Sequence, residues 1–334
     1  MDPEKAHDLT CDFLGFAETI PFARQVIKRF YQFESPSISL FGLNFPNCIG
    51  LAAGLDKNAM FSSISSSLGF GHVEVGTLTP NAQPGNPQPR LFRYPESEAL
   101  VNRMGFNNHG AIAAVERLRK YNPKGKRLSP VGINIGKGKE TPPEEAIEDY
   151  LHGFKIVSTQ ADFITINISS PNTPGLRLLH QKSFLDPLLE EIQKLNKSLA
   201  SKNSSKLIPC LLKISPDEDF KGLESIISSA LDYEIDGLIA TNTTTSRKIS
   251  DFEMGGLSGK PLEERSLQSI KFIVKESENK IPVIGVGGIH DTESANKKLD
   301  AGSSLLQLYT SLIYKGPSFP SQLASSLNSR FAWL

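Results

Sequence analysis

The sequence is poor in cysteine, carries no excess of either charge and contains no long apolar run. Its three cysteines, Cys11, Cys48 and Cys210, have no paired spacing and no histidine cluster beside them. That pattern offers neither a disulfide framework nor a zinc site and points to a reducing compartment. Lysine plus arginine number 36 and aspartate plus glutamate 36, so there is no basic field to draw in nucleic acid and no acidic excess typical of a disordered chain. No window reaches the roughly 18 uninterrupted apolar residues of a spanning helix, and the start "MDPEKAHDLT" lacks the basic-then-apolar order of a signal peptide. What is left is a chain of 334 residues, long enough to bury a large core. Small-molecule chemistry without a metal fits it best.

What the sequence does have is a repeated alternation. Short apolar runs occur at 48–54, 72–78, 131–136, 162–169, 207–215, 236–242, 282–288 and 304–310. Between and after them lie helix-period stretches at 59–68, 109–121, 143–159, 184–200, 217–231, 262–278, 292–301 and 317–329. Near-continuous Val, Ile and Leu runs mark strands buried on both faces, as in a parallel sheet. Eight strand-helix units predict an α/β fold of the (β/α)8 TIM-barrel type, whose functional groups gather where strands end. Polar residues do stand there: Lys57, Thr77, Asn134, Asn167 with Ser169 and Ser170, Lys213, Thr241 with Asn242, Gly287 with Gly288, and Tyr309 with Thr310.

The first 47 residues stand apart. Two short helices are expected over 6–19 and 21–33, with Pro21 at a helix start and Phe22, Val26, Ile27 and Phe30 on one face. Five Phe within 33 residues beside basic groups suit an interfacial surface as well as a cap on the barrel. "SISLFGLNFPN" reads as a hairpin below the barrel, and the Pro- and Asn-rich stretch 80–108 as a long functional loop.

"PVIGVGGI" and "GGLSGKPL", after strands seven and six, place bare backbone where a phosphate can approach. They lack the G-x-G-x-x-G of a dinucleotide fold, which favours a mononucleotide such as FMN. Lys57 and Lys213 sit at strand ends among apolar neighbours, where a buried ammonium needs an anion. Asn102, Asn167, Asn172 and Asn242 offer paired donors and acceptors for a planar ring with imide edges. No His, Asp or Glu is an evident base in these loops, which leaves Ser169 or Ser170, weak bases unless the site helps them.

"GLAAGLDKN", "VEVGTLTPNAQPGNPQPRLFR", "NRMGFNNHG", "GINIGKGKETP", "NISSPNTPGLR", "LLKISPD", "GLIATNTTTSR", "GGLSGKPL", "IPVIGVGGI" and "LLQLYTSLIYKGP" occur in that order from residue 50 to 317. Together they resemble the class 2, quinone-using dihydroorotate dehydrogenase family, which oxidises dihydroorotate to orotate in pyrimidine synthesis with FMN as hydride acceptor. The resemblance implies that Ser170, the second Ser of "NISSPN", is the catalytic base; class 1 relatives place a Cys there. It implies a substrate set of Lys57, Asn102, Arg103, Met104, Gly105, Phe106, Asn167, Asn172, Asn242 and Thr243. The implied FMN set is Ala53, Gly54, Lys57, Thr77, Asn134, Asn167, Lys213, Thr241, Gly259, Gly287, Gly288, Tyr309 and Thr310, with Lys213 beside the ring.

By the same matching, "DPEKAH" resembles the start of the family's N-terminal extension, so residues 1–35 would form a two-helix segment that rests on the membrane and 36–334 the FMN-binding barrel. His7, Arg93 and Tyr309 would line the quinone tunnel. "LLKISPD" departs from the family in having Ser215 where Ala is usual. The implied partners are dihydroorotate or orotate and a membrane quinone, with no nucleic acid and no metal. The implied location is peripheral, on the cytoplasmic face of a bacterial inner membrane, or on an organellar membrane if the native chain is longer. Two other readings are weighed against this one. A flavin barrel using a different pyrimidine, or NAD or fumarate as acceptor, is disfavoured by the Ser base and the extension. A non-catalytic flavin-binding barrel is disfavoured by the intact Lys57, Ser170, Asn172 and Lys213.

Overall fold

The computed structural model describes residues 1–31, 33–246 and 252–331. Arg247, the last residue of the motif "GLIATNTTTSR", and Gln32, within the expected second helix, lie outside the described residues. The chain opens with α1 (Pro3–Glu18) and α2 (Ala23–Tyr31). The first helix begins before the expected residue 6 because the Asp2 side chain accepts from the Lys5 amide at 2.9 Å while Pro3 takes the first turn. Pro21 sits in the turn before α2 rather than at its start. The expected hairpin forms from β1 (Ile38–Leu40) and β2 (Leu43–Phe45), closed by Phe41 (φ 54°) and Gly42 (φ 69°). Two successive positive φ values are the requirement of the tight turn that matches strand twist.

From there the chain runs β3 (Ile49–Leu51), α3 (Ser62–Ser67), β4 (His72–Leu78), β5 (Leu91–Tyr94), β6 (Ala99–Asn102), α4 (Ala111–Tyr121), β7 (Val131–Ile135), α5 (Ala146–Val157) and β8 (Phe163–Asn167). It continues through α6 (Lys182–Lys202), β9 (Cys210–Lys213), α7 (Phe220–Asp232), β10 (Gly237–Ala240), β11 (Gly256–Gly259), α8 (Glu263–Glu276), β12 (Val283–Val286), α9 (Thr292–Asp300), β13 (Ser303–Leu308), α10 (Thr310–Lys315) and α11 (Phe319–Ser326). Eight strands, β3-β4-β7-β8-β9-β10-β12-β13, pair in parallel and close into a barrel. Each of the eight apolar runs contains one of them, and the buried Val, Ile and Leu side chains of both faces merge into one core.

Two expectations change. The stretch 80–108 is not simply a loop: β5 and β6 pair with β11 as a three-stranded antiparallel sheet, with its own small core of Ala99, Val101 and Leu257. Thr310, expected at the end of the eighth strand, is the first residue of α10.

The floor of the barrel is sealed. The His72 ring stands edge-on to Phe45 at 5.5 Å and to Phe163 at 6.2 Å. Gly50 and Gly132 make the room, because a Cβ would come within 2.0 Å of His72 and 2.1 Å of Phe163 respectively. Burial pushes the His72 pKa down to about 3, so the ring packs as a neutral aromatic. Chemistry is therefore confined to the opposite, C-terminal mouth.

Candidate active site

That mouth holds a cavity that, counted with the solvent it opens to, encloses about 1100 Å³. Ala53, Gly54 and Lys57 reach it from beyond β3, Thr77 from the end of β4, and Asn102, Met104, Gly105 and Phe106 from β6 and the loop after it. Asn167, Ser170 and Asn172 come from β8 and its loop, Lys213 from β9, and Thr241, Asn242 and Thr243 from beyond β10. Gly259, Gly287, Gly288, Tyr309 and Thr310 complete the wall. Residues from seven of the eight barrel strand ends and from the small sheet thus meet in one space.

Beneath them runs a buried polar ladder. Glu74, mid-strand in β4, accepts from Asn134 Nδ2 at 2.6 Å and Gln307 Nε2 at 2.5 Å. Asn134 Oδ1 in turn accepts from Thr77 Oγ1 at 2.5 Å and Asn167 Nδ2 at 3.1 Å. Asn134 therefore does not line the cavity; it orients two residues that do. Lys213 is buried, and burial lowers its pKa while the Glu74 charge opposes that shift. Glu74 and Gln307 were not singled out in the sequence. A carboxylate in the middle of the apolar run "HVEVGTL" was the available signal.

The geometry separates the two serines. Ser169 Oγ donates to Asn167 Oδ1 at 3.0 Å and accepts from Asn242 Nδ2 at 3.0 Å, which turns it into the wall. Ser170 faces the cavity, and its Oγ accepts only the Asn172 backbone N–H, at 3.3 Å. Asn172 Nδ2 reaches the Asn102 backbone oxygen at 3.0 Å and its side-chain oxygen at 3.2 Å, joining the "NISSPN" loop to the end of β6.

Lys57 is the contact between barrel and N-terminal segment. Its Nζ donates to His7 Nε2 at 2.9 Å, so the ring nitrogen facing it is the unprotonated one. Burial and then the Lys57 charge push the His7 pKa down to about 3, and burial pushes the Cys11 thiol beside it up to about 12. Burial also lowers the Lys57 pKa.

Besides Asn134, three expected residues lie off the cavity. The Arg103 guanidinium turns outward, donating to the backbone oxygens of Pro89 and Met254 and stacking over Phe92. Arg93 is exposed and reaches the Met1 oxygen at 3.2 Å. His7 touches Lys57 from behind rather than lining the space itself. Arg103 follows from alternation, standing next to the cavity-lining Asn102, whereas Arg93 shares the face of the cavity-lining Leu91 but lies two residues further along β5, where it meets Met1.

The wall opposite the lysines is bare backbone. Gly259 (φ 97°), Gly287 (φ 106°) and Gly288 (φ 75°) occupy conformations that side chains resist, and a Cβ on Gly288 would lie 2.2 Å from Glu263 Cα. A glycine-lined wall, two buried ammonium groups and converging amide side chains fit a phosphorylated planar cofactor stacked with a small anionic ring. Among the described residues no group of His, Cys, Asp and Glu could hold a metal ion.

Comparison with known proteins agrees with this chemistry. A profile of the family described as "Dihydroorotate dehydrogenase" matches residues 36–331. The chain is 47% identical over 334 residues to "Dihydroorotate dehydrogenase (quinone)" of Idiomarina loihiensis, covering 98% of this chain and 97% of that one. It is 47% identical over 324 residues to the protein of the same name from Christiangramia forsetii, covering 95% and 92%. Among solved structures, ligand-free DHODH from Eimeria tenella superposes with a TM-score of 0.87 at 36% identity, covering 99% of this chain and 96% of that one.

Proposed function

The chain belongs to the dihydroorotate dehydrogenase family and oxidises dihydroorotate to orotate in pyrimidine biosynthesis; from that premise we propose how its own residues divide the work. The family implies a flavin, and we take it to be FMN, whose phosphate Gly259, Gly287, Gly288 and Thr310 would hold and whose ring Thr77, Asn167 and Lys213 would contact. Bound there, FMN supplies the acceptor for the hydride leaving substrate C6 and passes the electrons to a quinone.

The substrate lies over Ser170. Asn102, Asn167, Asn172 and Asn242 meet its imide and carboxylate edges with paired donors and acceptors, and Lys57 supplies positive charge. Ser170 Oγ takes the proton from C5 as its own hydroxyl proton passes to solvent, and the C6 hydrogen leaves as hydride, so the ring loses two hydrogens and gains a C=C bond. Ser169 cannot share this work because its bonds with Asn167 and Asn242 turn it into the wall, off the cavity. Lys213 holds its ammonium beside the ring system in a dry site, where fixed charge is most effective.

Residues 1–35 form the segment that meets the membrane, and 36–334 the catalytic barrel. Leu9, Phe13 and Phe16 of α1, with Val26 and Phe30 of α2 and Phe22 before it, point outward, Phe30 being 78% exposed. Ile27, expected on that face, packs on the barrel instead. No described helix is long and apolar enough to cross a membrane. The exposed aromatic face supports peripheral contact, which we place on the cytoplasmic face of a bacterial inner membrane. His7, Arg93 and Tyr309 mark the quinone's approach between this segment and the cavity.

The observation that carries this reading is the single cavity in which Ser170, Lys57, Lys213 and the Asn side chains converge. Anaerobic mixing of purified protein with dihydroorotate should bleach the flavin band, and a soluble quinone should restore it. A yellow protein that dihydroorotate leaves yellow overturns the substrate assignment.

A further inference from the structure

Arg90, at the edge of β5, is tied at every turn yet touches nothing in the cavity. Its Nε donates to Glu4 Oε1 of α1 at 2.8 Å, and both side chains are nearly buried, 11% and 8% exposed. Its NH1 donates to the backbone oxygens of Pro84 at 2.7 Å and Asn86 at 2.8 Å. The bend it holds is tight: Gly85 has φ 77°, and a Cβ there would lie 2.3 Å from Met104 O and 2.9 Å from Arg90 NH1. From that bend Asn86 Nδ2 donates to Arg103 O at 3.0 Å and to Asn172 O at 3.1 Å, and the Asn86 amide to Met104 O at 2.9 Å. One side chain thus gathers the two segments, 102–106 and 170–172, that flank the space above Ser170.

We propose that Arg90, held by Glu4, is a positioning residue for the substrate: through Asn86 it sets the spacing of the Asn102–Phe106 and Ser170–Asn172 segments, so docking of α1 completes the dihydroorotate site. This rests on the assignment of those segments to the substrate. The reason for arginine is geometric, since one planar fork serves a carboxylate and two carbonyls that lie in different directions. The reason for Glu4 is electrostatic, since a cation this buried needs a nearby anion to stay charged and in place. The N-terminal segment then contributes to both halves of the reaction rather than to quinone delivery alone.

The test uses full-length, FMN-loaded Arg90→Lys, Glu4→Gln and Asn86→Ala proteins, with FMN content and thermal midpoint measured first. Stopped-flow flavin bleaching separates the dissociation constant for dihydroorotate from the limiting rate, and orotate binding is read from the shift of the flavin spectrum. Each variant should raise both dissociation constants by about tenfold while the limiting rate changes far less, and Glu4→Gln combined with Arg90→Lys should be less than additive. Asn86→Ala removes only a short amide and serves if the Arg90 variant does not fold. Wild-type dissociation constants in folded Glu4→Gln and Asn86→Ala, or losses confined to quinone turnover, overturn the proposal. If the unaltered protein is not bleached by dihydroorotate, the failure belongs to the substrate assignment instead.

Discussion

Docking of α1 should be pH-dependent through His7. The ring is neutral where it sits, with Nε2 accepting from the Lys57 ammonium at 2.9 Å, and its pKa there is about 3 against an ordinary 6.5. A histidine whose pKa falls on docking favours the docked form fully above the ordinary value. That advantage is lost as pH falls, because the free helix takes up a proton that the docked one refuses. At pH 5.5 the free form is favoured by a factor of about 11, roughly 1.4 kcal/mol. Of the groups facing His7 or Lys57, Cys11 stays a thiol throughout, its pKa being pushed up to about 12. Asp8, whose pKa is raised by partial burial and by the Glu4 charge, acts weakly in the opposite sense. The helix is held besides by Glu4 on Arg90, by Glu18 accepting from the Ser63 and Ile64 amides, and by Cys11 and Leu14 packed on the core. Hydrogen exchange of α1 peptides, corrected for intrinsic rates, should show about tenfold less protection at pH 5.5 than at 7.5. His7→Gln, which cannot titrate, should flatten that difference. Equal pH dependence in the two proteins would refute the assignment of His7 as the titrating contact.

Two further outcomes follow from the site and the exposed face. Ser170→Ala should keep its FMN and its orotate affinity but lose bleaching by dihydroorotate by at least about a hundredfold, the usual worth of a positioned base; near-normal stopped-flow bleaching would return the role to another group. Replacing Phe22 and Phe30 together by Ser should cut co-sedimentation with neutral phosphatidylcholine vesicles by well over tenfold, since each ring contributes about 1.5–3 kcal/mol when buried. Undiminished binding would mean that the outward face of α1 and α2 is not the face that meets lipid.

The barrel was legible because parallel strands buried on both sides must be largely apolar, and "PVIGVGG" with β12 and "LIPCLLKIS" with β9 come close to that. The small sheet was not, because β5, β6 and β11 have four residues each, the first two within a Pro- and Asn-rich stretch and the third 150 residues further on. A pairing between β6 and β11 has no local signature. Among the site residues, position along the strands located Lys57, Lys213 and the Asn set, since strand ends are where a barrel opens. Direction was less accessible: composition left Ser169 and Ser170 equivalent, and the hydrogen bonds that Ser169 gives to Asn167 and takes from Asn242 decide which one is free. Arg103 and Asn134 show the same limit, the one turned out to Met254 and the other turned under to Glu74.

The division at residue 35, evident as a change of pattern in the sequence, is not a division of labour. Several polar contacts cross it, among them Glu4 to Arg90, His7 to Lys57 and Glu18 to the Ser63 and Ile64 amides, and the first two end on groups tied to the cavity. A helix meant only to bind lipid would have no use for a nearly buried carboxylate, whose desolvation costs several kcal/mol unless a partner repays it. Apolar contact would dock α1 equally well without it. Placing charge at the joint makes docking depend on the partner's exact position instead of on buried area alone, and so ties the geometry of the membrane segment to that of the site. Lys57 is where this matters most: the same ammonium lines the substrate cavity and donates to His7, so a change in the charge of either environment is felt by the other. On the proposed function, with dihydroorotate aqueous and the quinone in the bilayer, that shared lysine would link the wall of the first site to the approach of the second.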